Sequence, residues 1–152
     1  MSQLLDDAIH FAAQAHAGQM RKMANTPYIL HPLEVAVIIS TMTDNEDVMA
    51  AGLLHDTVED CDVDPKEIKA RFGPRVAALV QSETEDKLSE RPAAETWMER
   101  KEESLLMLQH TKDTDVKIQW MAVPAMCWYG TLRRKQVKVL FILLLTKMPS
   151  II

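Results

Sequence analysis

The chain has 152 residues, which suits a single domain long enough to bury its own hydrophobic core. Hydrophobic residues make up 47% of the chain and charged residues 26%, fractions typical of a soluble globular protein. The net charge of -5 argues against a protein that binds the backbone of a nucleic acid, although a local basic patch still suits a phosphorylated small molecule. Two cysteines, Cys61 and Cys127, provide no disulfide framework and fit a reducing, cytoplasmic environment.

The residue types indicate the fold class. Glycine is scarce, whereas alanine, leucine, methionine, glutamate and lysine are plentiful, which favours an all-α single domain. The first predicted helix covers residues 3–18, with apolar residues at helical spacing and Ser2 as its cap. Acidic residues stand where a secretion signal would carry basic ones, so we expect this segment to belong to the fold. Its histidines, His10 and His16, are expected at the surface or partly packed, and not as metal ligands.

A loop is predicted between residues 18 and 32, because Asn-Thr-Pro at positions 25–27 interrupts the helical pattern. This loop carries the cationic pair Arg21 and Lys22 and the aromatic residue Tyr28. We expect these side chains to lie beside the site described below, where the two cations would meet an anion.

Two apolar helices follow the loop. The first covers about Pro32–Thr41, with a proline suited to the first helical turn and with His31 at its entrance. The second is capped by Asp44 or Asn45 and contains the apolar stretch 48–54, which indicates a buried helix. A histidine therefore precedes one apolar helix, and a polar motif follows the other.

That polar motif consists of His55, Asp56, Glu59 and Asp60. A buried helix does not tolerate so many polar groups at its end unless they have partners. Four-residue spacing places His55 above Glu59 and Asp56 above Asp60, on neighbouring faces of one helical end. Either a divalent metal ion satisfies them together, or they form a solvated helix terminus, since isolated His-Asp pairs also occur by accident.

His31, His55 and Asp56 are the predicted metal ligands. Two imidazoles and a carboxylate suit Mn²⁺ or a similar divalent ion, with zinc or iron less excluded than calcium. Such an ion lowers the pKa of a bound water toward about 7 and polarises a phosphoryl oxygen, as hydrolysis of a phosphate ester or pyrophosphate requires. Cys61 is a poor candidate ligand, because a soft thiolate does not match the neighbouring hard carboxylates.

The rest of the chain is predicted to add four helices and a polar loop. The helices cover residues 65–72, 75–84, 95–110 and 115–122, and the loop covers residues 83–92. Lys87 lies in this loop, where the local sequence fits a solvated lysine and a phosphate-binding lysine equally well. We expect six or seven helices before residue 122.

Three stretches, RKMANTPYILHP, GLLHDTVED and TEDK, occur in this order along the chain. Together they resemble the hydrolase domain of the RelA/SpoT family, HD-type enzymes that remove the 3′-pyrophosphate from (p)ppGpp, including their small stand-alone forms. The resemblance covers residues 1–121 and implies an HD-domain helical bundle. It also implies catalytic roles for Glu59 and Asp60 in orienting or deprotonating the attacking water, and substrate binding by Arg21, Lys22 and Lys87.

The resemblance ends within the last predicted helix. In the family this helix carries a motif like VK-x-x-x-LADKLSN-x-R, whose Asp completes the metal shell, whereas here VKIQWMA is followed by Val123 at the Asp position. Pro124 is expected to break or kink the helix. We therefore divide the chain into an HD hydrolase domain at 1–122, incomplete at its C-terminal end, and a divergent basic and apolar tail at 123–152.

Either a shifted reading frame or real divergence explains this tail. Its apolar run at 137–145 is shorter than the roughly 20 residues that span a bilayer, so we expect no membrane insertion. An exposed apolar segment of this kind is instead expected to promote self-association.

Three functions remain open from the sequence. The first is Mn²⁺-dependent hydrolysis of the 3′-pyrophosphate of (p)ppGpp, impaired by the missing Asp. The second is an HD phosphohydrolase that acts on another nucleotide, and phosphate release from a panel of nucleotides separates these two. The third is a catalytically inactive binding protein or relic, for which the metal content of the purified protein is the test.

Overall fold

The computed structural model describes residues 2–21, 25–84 and 110–127, with the side chains of the last segment as far as Ala122. In these ranges the regular structure is helical, apart from one isolated antiparallel bridge between Met20 and Pro27. The all-α prediction is therefore confirmed. Within the same ranges, no helix is both long enough and apolar enough to cross a membrane.

Six helices lie in the described part of the chain. They are α1 (Gln3–Ala15), α2 (Leu30–Ser40), α3 (Glu46–Leu54), α4 (Thr57–Asp60), α5 (Pro65–Glu83) and α6 (Thr114–Cys127). Side-chain caps fix three of the starts, because Ser2, Asn45 and Asp64 each accept a hydrogen bond from a backbone N–H of the first turn. The predicted helix at 95–110 except for its last residue, most of the loop at 83–92, and the predicted tail from residue 128 onward lie outside the described residues.

The helix α2 begins at Leu30, two residues earlier than predicted. Pro32 is the third helical residue, and His31 lies inside the first turn with its backbone N–H donating to the carbonyl of Tyr28 at 2.8 Å. The chain before α2 folds back on itself, since Tyr28 N–H donates to Gln19 O at 2.9 Å and Arg21 N–H donates to Thr26 O at 3.0 Å. Residues 19–21 and 26–28 of the predicted loop are thus paired with each other.

The prediction that one helical end carries the whole polar motif is wrong. Helix α3 ends at Leu54, His55 and Asp56 form a junction, and α4 starts at Thr57. Two side chains form hydrogen bonds with the last carbonyl groups of α3. His55 Nδ1 lies 2.8 Å from Gly52 O, and Thr57 Oγ1 donates to Leu54 O at 2.7 Å. These local contacts compete with the continuing backbone ladder and end the helix.

The long helix α5 contains the predicted interruption at Gly73. This residue has φ of 89° and ψ of 168°, a conformation that glycine adopts readily, and Pro74 starts the second half. The second half turns Val76, Leu79 and Val80 into the core, as predicted.

Helix α3 is the centre of the fold and packs against α1, α2, α5 and α6. Its small residues allow a close approach. A Cβ at Gly52 would collide with the side chain of Ile39 on α2 and lie 3.3 Å from Cγ1 of Val35. The close contact between α2 and α3 brings the start of one helix beside the end of the other.

Helix α6 is attached near the start of α3. Asn45 Nδ2 donates to Asp115 Oδ2 at 3.1 Å, and Arg75 donates to both Asp113 and Asp115 at 2.7–2.8 Å. Of the predicted break or kink at Pro124, the break does not occur, since α6 continues to Cys127, and the kink stays a prediction. A proline removes one backbone hydrogen bond, and the flanking turns of α6 retain their helical form.

Candidate metal centre

Three of the predicted site residues converge on one point. His31 comes from the first turn of α2, and His55 and Asp56 come from the α3–α4 junction. The two Nε2 atoms lie 3.2 Å apart, and Asp56 Oδ2 lies 3.4 Å from His31 Nε2 and 3.1 Å from His55 Nε2. The two imidazoles are almost fully buried, and the carboxylate is 16% exposed.

The donor set fits a divalent ion. Metal bonds to imidazole nitrogen or carboxylate oxygen are about 2.0–2.2 Å long, so two ligands of one ion stand roughly 3.0–3.4 Å apart. The three distances in this cluster lie in that range. Two buried nitrogen atoms and one carboxylate oxygen that face each other could hold a cation, and the mixed nitrogen-oxygen set suits a first-row divalent metal.

The contact between His55 and Gly52 prepares the imidazole for this role. A backbone carbonyl only accepts, so the 2.8 Å distance from Nδ1 to Gly52 O places the proton on Nδ1. In the neutral form of His55, the lone pair of Nε2 then faces His31 and Asp56. Metal-binding histidines are commonly oriented by a hydrogen bond of this kind on the second ring nitrogen.

At His31 and Asp56 the electrostatic environment favours the protonation states that bind a metal, whereas at His55 a metal ion has to displace a proton. Burial and the neighbouring His55 lower the pKa of His31 to about 4, so its imidazole is neutral at pH 7. Burial acts to raise the pKa of Asp56, but His55, Tyr28 and His31 outweigh it and lower that pKa. Burial likewise opposes protonation of His55, yet Asp56 and the Gly52 carbonyl raise the pKa of His55 overall.

The predicted catalytic residues lie on α4, next to the cluster. Glu59 is half-buried and Asp60 is exposed. Asp60 N–H donates to Asp56 O at 2.8 Å, so one helical turn separates the acidic pair from the junction. The four-residue relation between Asp56 and Asp60 therefore persists, although α3 has already ended.

Of the predicted substrate-binding residues, the structure describes Arg21. Its guanidinium forms an ion pair with Glu34 Oε2 at 2.8 Å, and its positive charge contributes to the low pKa of His31. Arg21 therefore lies near the cluster, although Glu34 already accepts one of its hydrogen bonds. Lys22 and Lys87 lie outside the described residues.

Two residues near the cluster had no role assigned from the sequence. The hydroxyl of Tyr28 donates to Asp56 Oδ2 at 2.6 Å, which places it directly behind a metal-facing oxygen. Glu83 is buried at the end of α5, and its charge helps to raise the pKa of His55. The signal for Glu83 was present, because it follows Val76 and Val80 at helical spacing on the buried face of α5.

His10 on α1 and His16, the residue that follows this helix, are not part of the cluster. His10 is exposed, with Nδ1 2.9 Å from Asp6 O. His16 is buried, with Nδ1 2.8 Å from Gln19 Oε1 and 3.2 Å from Cys61 Sγ. His16 is thus more deeply packed than the sequence indicated.

Residues 8–119 match the protein family described as the HD domain. The chain belongs to the HD-domain family. A guanosine-3′,5′-bis(diphosphate) 3′-pyrophosphohydrolase of Danio rerio is 47% identical over 88 residues, which cover 55% of this chain and 48% of that protein. The enzyme of the same name from Vibrio cholerae is 38% identical over 124 residues, 80% of this chain and 17% of that protein. This HD domain therefore spans about half or less of the length of these curated relatives.

A solved structure described as a metazoan ortholog of SpoT that hydrolyzes ppGpp has a similar fold. The TM-score is 0.74 with 28% sequence identity, and the match covers 93% of this chain and 82% of that one. The HD-domain fold predicted from the motifs is confirmed by this likeness and by the family match.

Proposed function

We propose that this HD domain is a metal-dependent phosphohydrolase that removes the 3′-pyrophosphate from (p)ppGpp. The observation that carries the proposal is the convergence of His31, His55 and Asp56 within 3.4 Å of one another, one turn before two further carboxylates. The names of the relatives supply the substrate, since a metal, a water and a few cations would suit many nucleotides. We place this activity in the cytoplasm.

His31, His55 and Asp56 would hold the ion, and we propose Mn²⁺ because imidazole and carboxylate together suit it. When bound, the ion lowers the pKa of a water molecule and polarises a phosphoryl oxygen. The buried site limits competing solvent, and the neutral form of His31 leaves its nitrogen available at pH 7.

The acidic pair on α4 performs the proton chemistry in this proposal. Glu59 accepts a proton from the attacking water, and Asp60, held near Asp56 through Tyr28, orients that water. Arg21 binds a phosphate of the nucleotide, exchanging its ion pair with Glu34 for the substrate, while Lys22 and Lys87 contribute further positive charge.

We also propose that turnover in this chain is impaired. Val123 stands where the related motif has a metal-binding Asp, so the ion would have two neutral ligands and a single carboxylate. Loss of even an outer partner of a metal site commonly costs about 10–100-fold in affinity or activity. An HD phosphohydrolase acting on another nucleotide, or an inactive nucleotide-binding protein, are the alternatives.

Pyrophosphate release from a nucleotide panel that includes ppGpp, ATP and GTP, with Mn²⁺ present, tests the proposal. We expect ppGpp to be the preferred substrate. Glu59→Gln should lower kcat by at least about 100-fold with metal binding intact, because an amide cannot accept the proton. Glu46→Gln, at an exposed position in the first turn of α3, is the matched control and should behave as wild type.

Preference for another nucleotide would overturn (p)ppGpp as the substrate but would leave the proposed metal-dependent hydrolysis in place. Equal kcat in wild type and Glu59→Gln would remove Glu59 from the mechanism. Metal binding without hydrolysis of any nucleotide would leave the inactive binding protein as the function.

A further inference from the structure

Tyr28 joins the candidate metal site to the candidate catalytic pair. Its hydroxyl donates to Asp56 Oδ2 at 2.6 Å and lies 3.2 Å from Asp60 Oδ2. The same Asp56 oxygen faces the Nε2 atoms of both histidines. A single phenol therefore touches a carboxylate oxygen that faces the ion position and a carboxylate placed to act on the water.

The ring that carries this hydroxyl is held on two sides. Its centroid lies 4.8 Å from that of His16 and 5.7 Å from that of His31, which it meets edge-to-face. The Tyr28 backbone is bonded to Gln19 O on one side and to the His31 N–H on the other. These contacts fix the direction of the hydroxyl before any ligand arrives.

The loop that carries Tyr28 is also bonded to the end of α4. Gln19 Nε2 donates to Asp60 O at 3.2 Å, and Gln19 Oε1 lies 2.8 Å from Nδ1 of His16, whose ring packs on Tyr28. The loop and α4 are thus connected through a backbone contact and a side-chain contact. Movement of Tyr28 would be transmitted to Asp60.

We propose that Tyr28 is a positioning residue that sets the orientation of Asp56 toward the ion and of Asp60 toward the water. The inference rests on the proposed function. Without the hydroxyl, the Asp56 carboxylate can rotate about its last bond, and the exposed Asp60 side chain loses an anchor. Partners of metal ligands commonly contribute about 10–100-fold to metal affinity or activity.

The test compares Tyr28→Phe with wild type. Phenylalanine keeps the ring between His16 and His31 and removes only the hydroxyl. We expect Mn²⁺ affinity, measured by titration calorimetry, to fall about 10-fold, and kcat on ppGpp to fall by a similar factor. Thr41→Val is the control. Thr41 is the first residue after α2, and the substitution removes an exposed hydroxyl that donates to Ile38 O.

A double-mutant cycle separates positioning from general disturbance of the fold. If Tyr28 acts through Asp60, Tyr28→Phe should lower kcat much less in an Asp60→Asn background than in wild type. Additive losses in the cycle would overturn the coupling to Asp60. Unchanged Mn²⁺ affinity and kcat in Tyr28→Phe, or a rise in KM alone, would overturn the whole inference.

Failure of the proposed function has a different signature. If wild type binds Mn²⁺ but does not hydrolyse ppGpp, the proposed function fails through a different substrate or an inactive protein, while a lower Mn²⁺ affinity of Tyr28→Phe still supports the positioning of Asp56. If Tyr28→Phe does not fold, Gln19→Ala takes its place, because it frees the loop that carries Tyr28 from the backbone carbonyl of Asp60. Unchanged Mn²⁺ affinity and kcat in Gln19→Ala would then overturn the inference.

Discussion

Gly52 contributes to the site twice. Its carbonyl orients His55, and its missing side chain lets α3 approach α2, which carries His31. A methyl group at this position would collide with Ile39, and overpacking of a close-packed core typically costs about 1–3 kcal/mol. We expect Gly52→Ala to lower the free energy of unfolding by that amount in urea denaturation and to weaken Mn²⁺ binding.

A second substitution tests whether the contact with Ile39 causes the effect of Gly52→Ala. Ile39→Val removes the Cδ1 atom that the new methyl would meet, at a cost of about 0.5–1.5 kcal/mol when made alone. The double variant Gly52→Ala with Ile39→Val should be more stable than Gly52→Ala. A double variant whose destabilisation is the sum of the two single effects would show that the contact with Ile39 is not the cause.

The residues of the candidate metal site could be found from the sequence, whereas their hydrogen-bond partners could not. His55 and Asp56 stand out because two adjacent polar residues end a buried helix, and His31 stands out before a proline. The hydrogen bond from Tyr28 to Asp56 joins residues 28 positions apart, and no local pattern encodes it. The same applies to Arg21, whose partner Glu34 lies on the next helix.

At the scale of elements, most helices were found, and their ends were the weaker part. Caps at Ser2 and Asn45 and the break at Gly73 follow from residue type. The end of α3 depends instead on side chains that bond back to its carbonyls, a competition that periodicity does not reveal. Four-residue spacing across a motif is therefore weaker evidence for one continuous helix than an apolar stripe is.

Helix α6 contains buried polar groups without hydrogen-bond partners in the described part of the chain, near residue 119, where the family match ends. Gln119 is fully buried, and within the described part of the chain neither atom of its amide has a hydrogen-bond partner. The indole nitrogen of Trp120 is likewise buried without a partner there. Buried unpaired polar groups cost about 1–3 kcal/mol each, as expected where a sequence no longer fits its fold.

The position of α6 bears on the proposed loss of a metal-binding Asp at position 123. Helices α3 and α6 both start at the Asn45–Asp115 hydrogen bond and pack together. At about 1.5 Å per residue, His55 lies roughly 15 Å along from that start and position 123 roughly 12 Å. Two helices that run side by side from this hydrogen bond would bring the backbone at 123 within about one helical turn of the level of His55.

Because α6 is not broken at Pro124, an aspartate at position 123 would be carried by a continuous helix. We expect Val123→Asp to tighten Mn²⁺ binding by about 10-fold or more and to raise kcat on ppGpp. Ala125→Asp places the same charge about half a turn round the helix and is the control. A gain from Trp120→Asp in place of Val123→Asp would show that the motif is aligned three residues too late.

The fold brings together segments from three separate stretches of the chain. The loop before α2, the start of α2, the α3–α4 junction and the end of α5 meet at the cluster because α3 packs against α1, α2, α5 and α6. Composition predicted the helical class and the order of motifs suggested the family, but the meeting of these segments depends on close contacts such as those at Gly52. Such contacts depend on shape and are not visible as a sequence pattern.

The most direct measurement is the stoichiometry and affinity of Mn²⁺ binding by titration calorimetry for three proteins. We expect wild type to bind one ion per chain, with weak affinity because one anionic ligand is missing. His55→Ala should abolish that binding, whereas His10→Ala should leave it unchanged, since His10 is exposed and bonds to Asp6 O. No binding to wild type, or equal binding to wild type and His55→Ala, would contradict a metal centre formed by His31, His55 and Asp56.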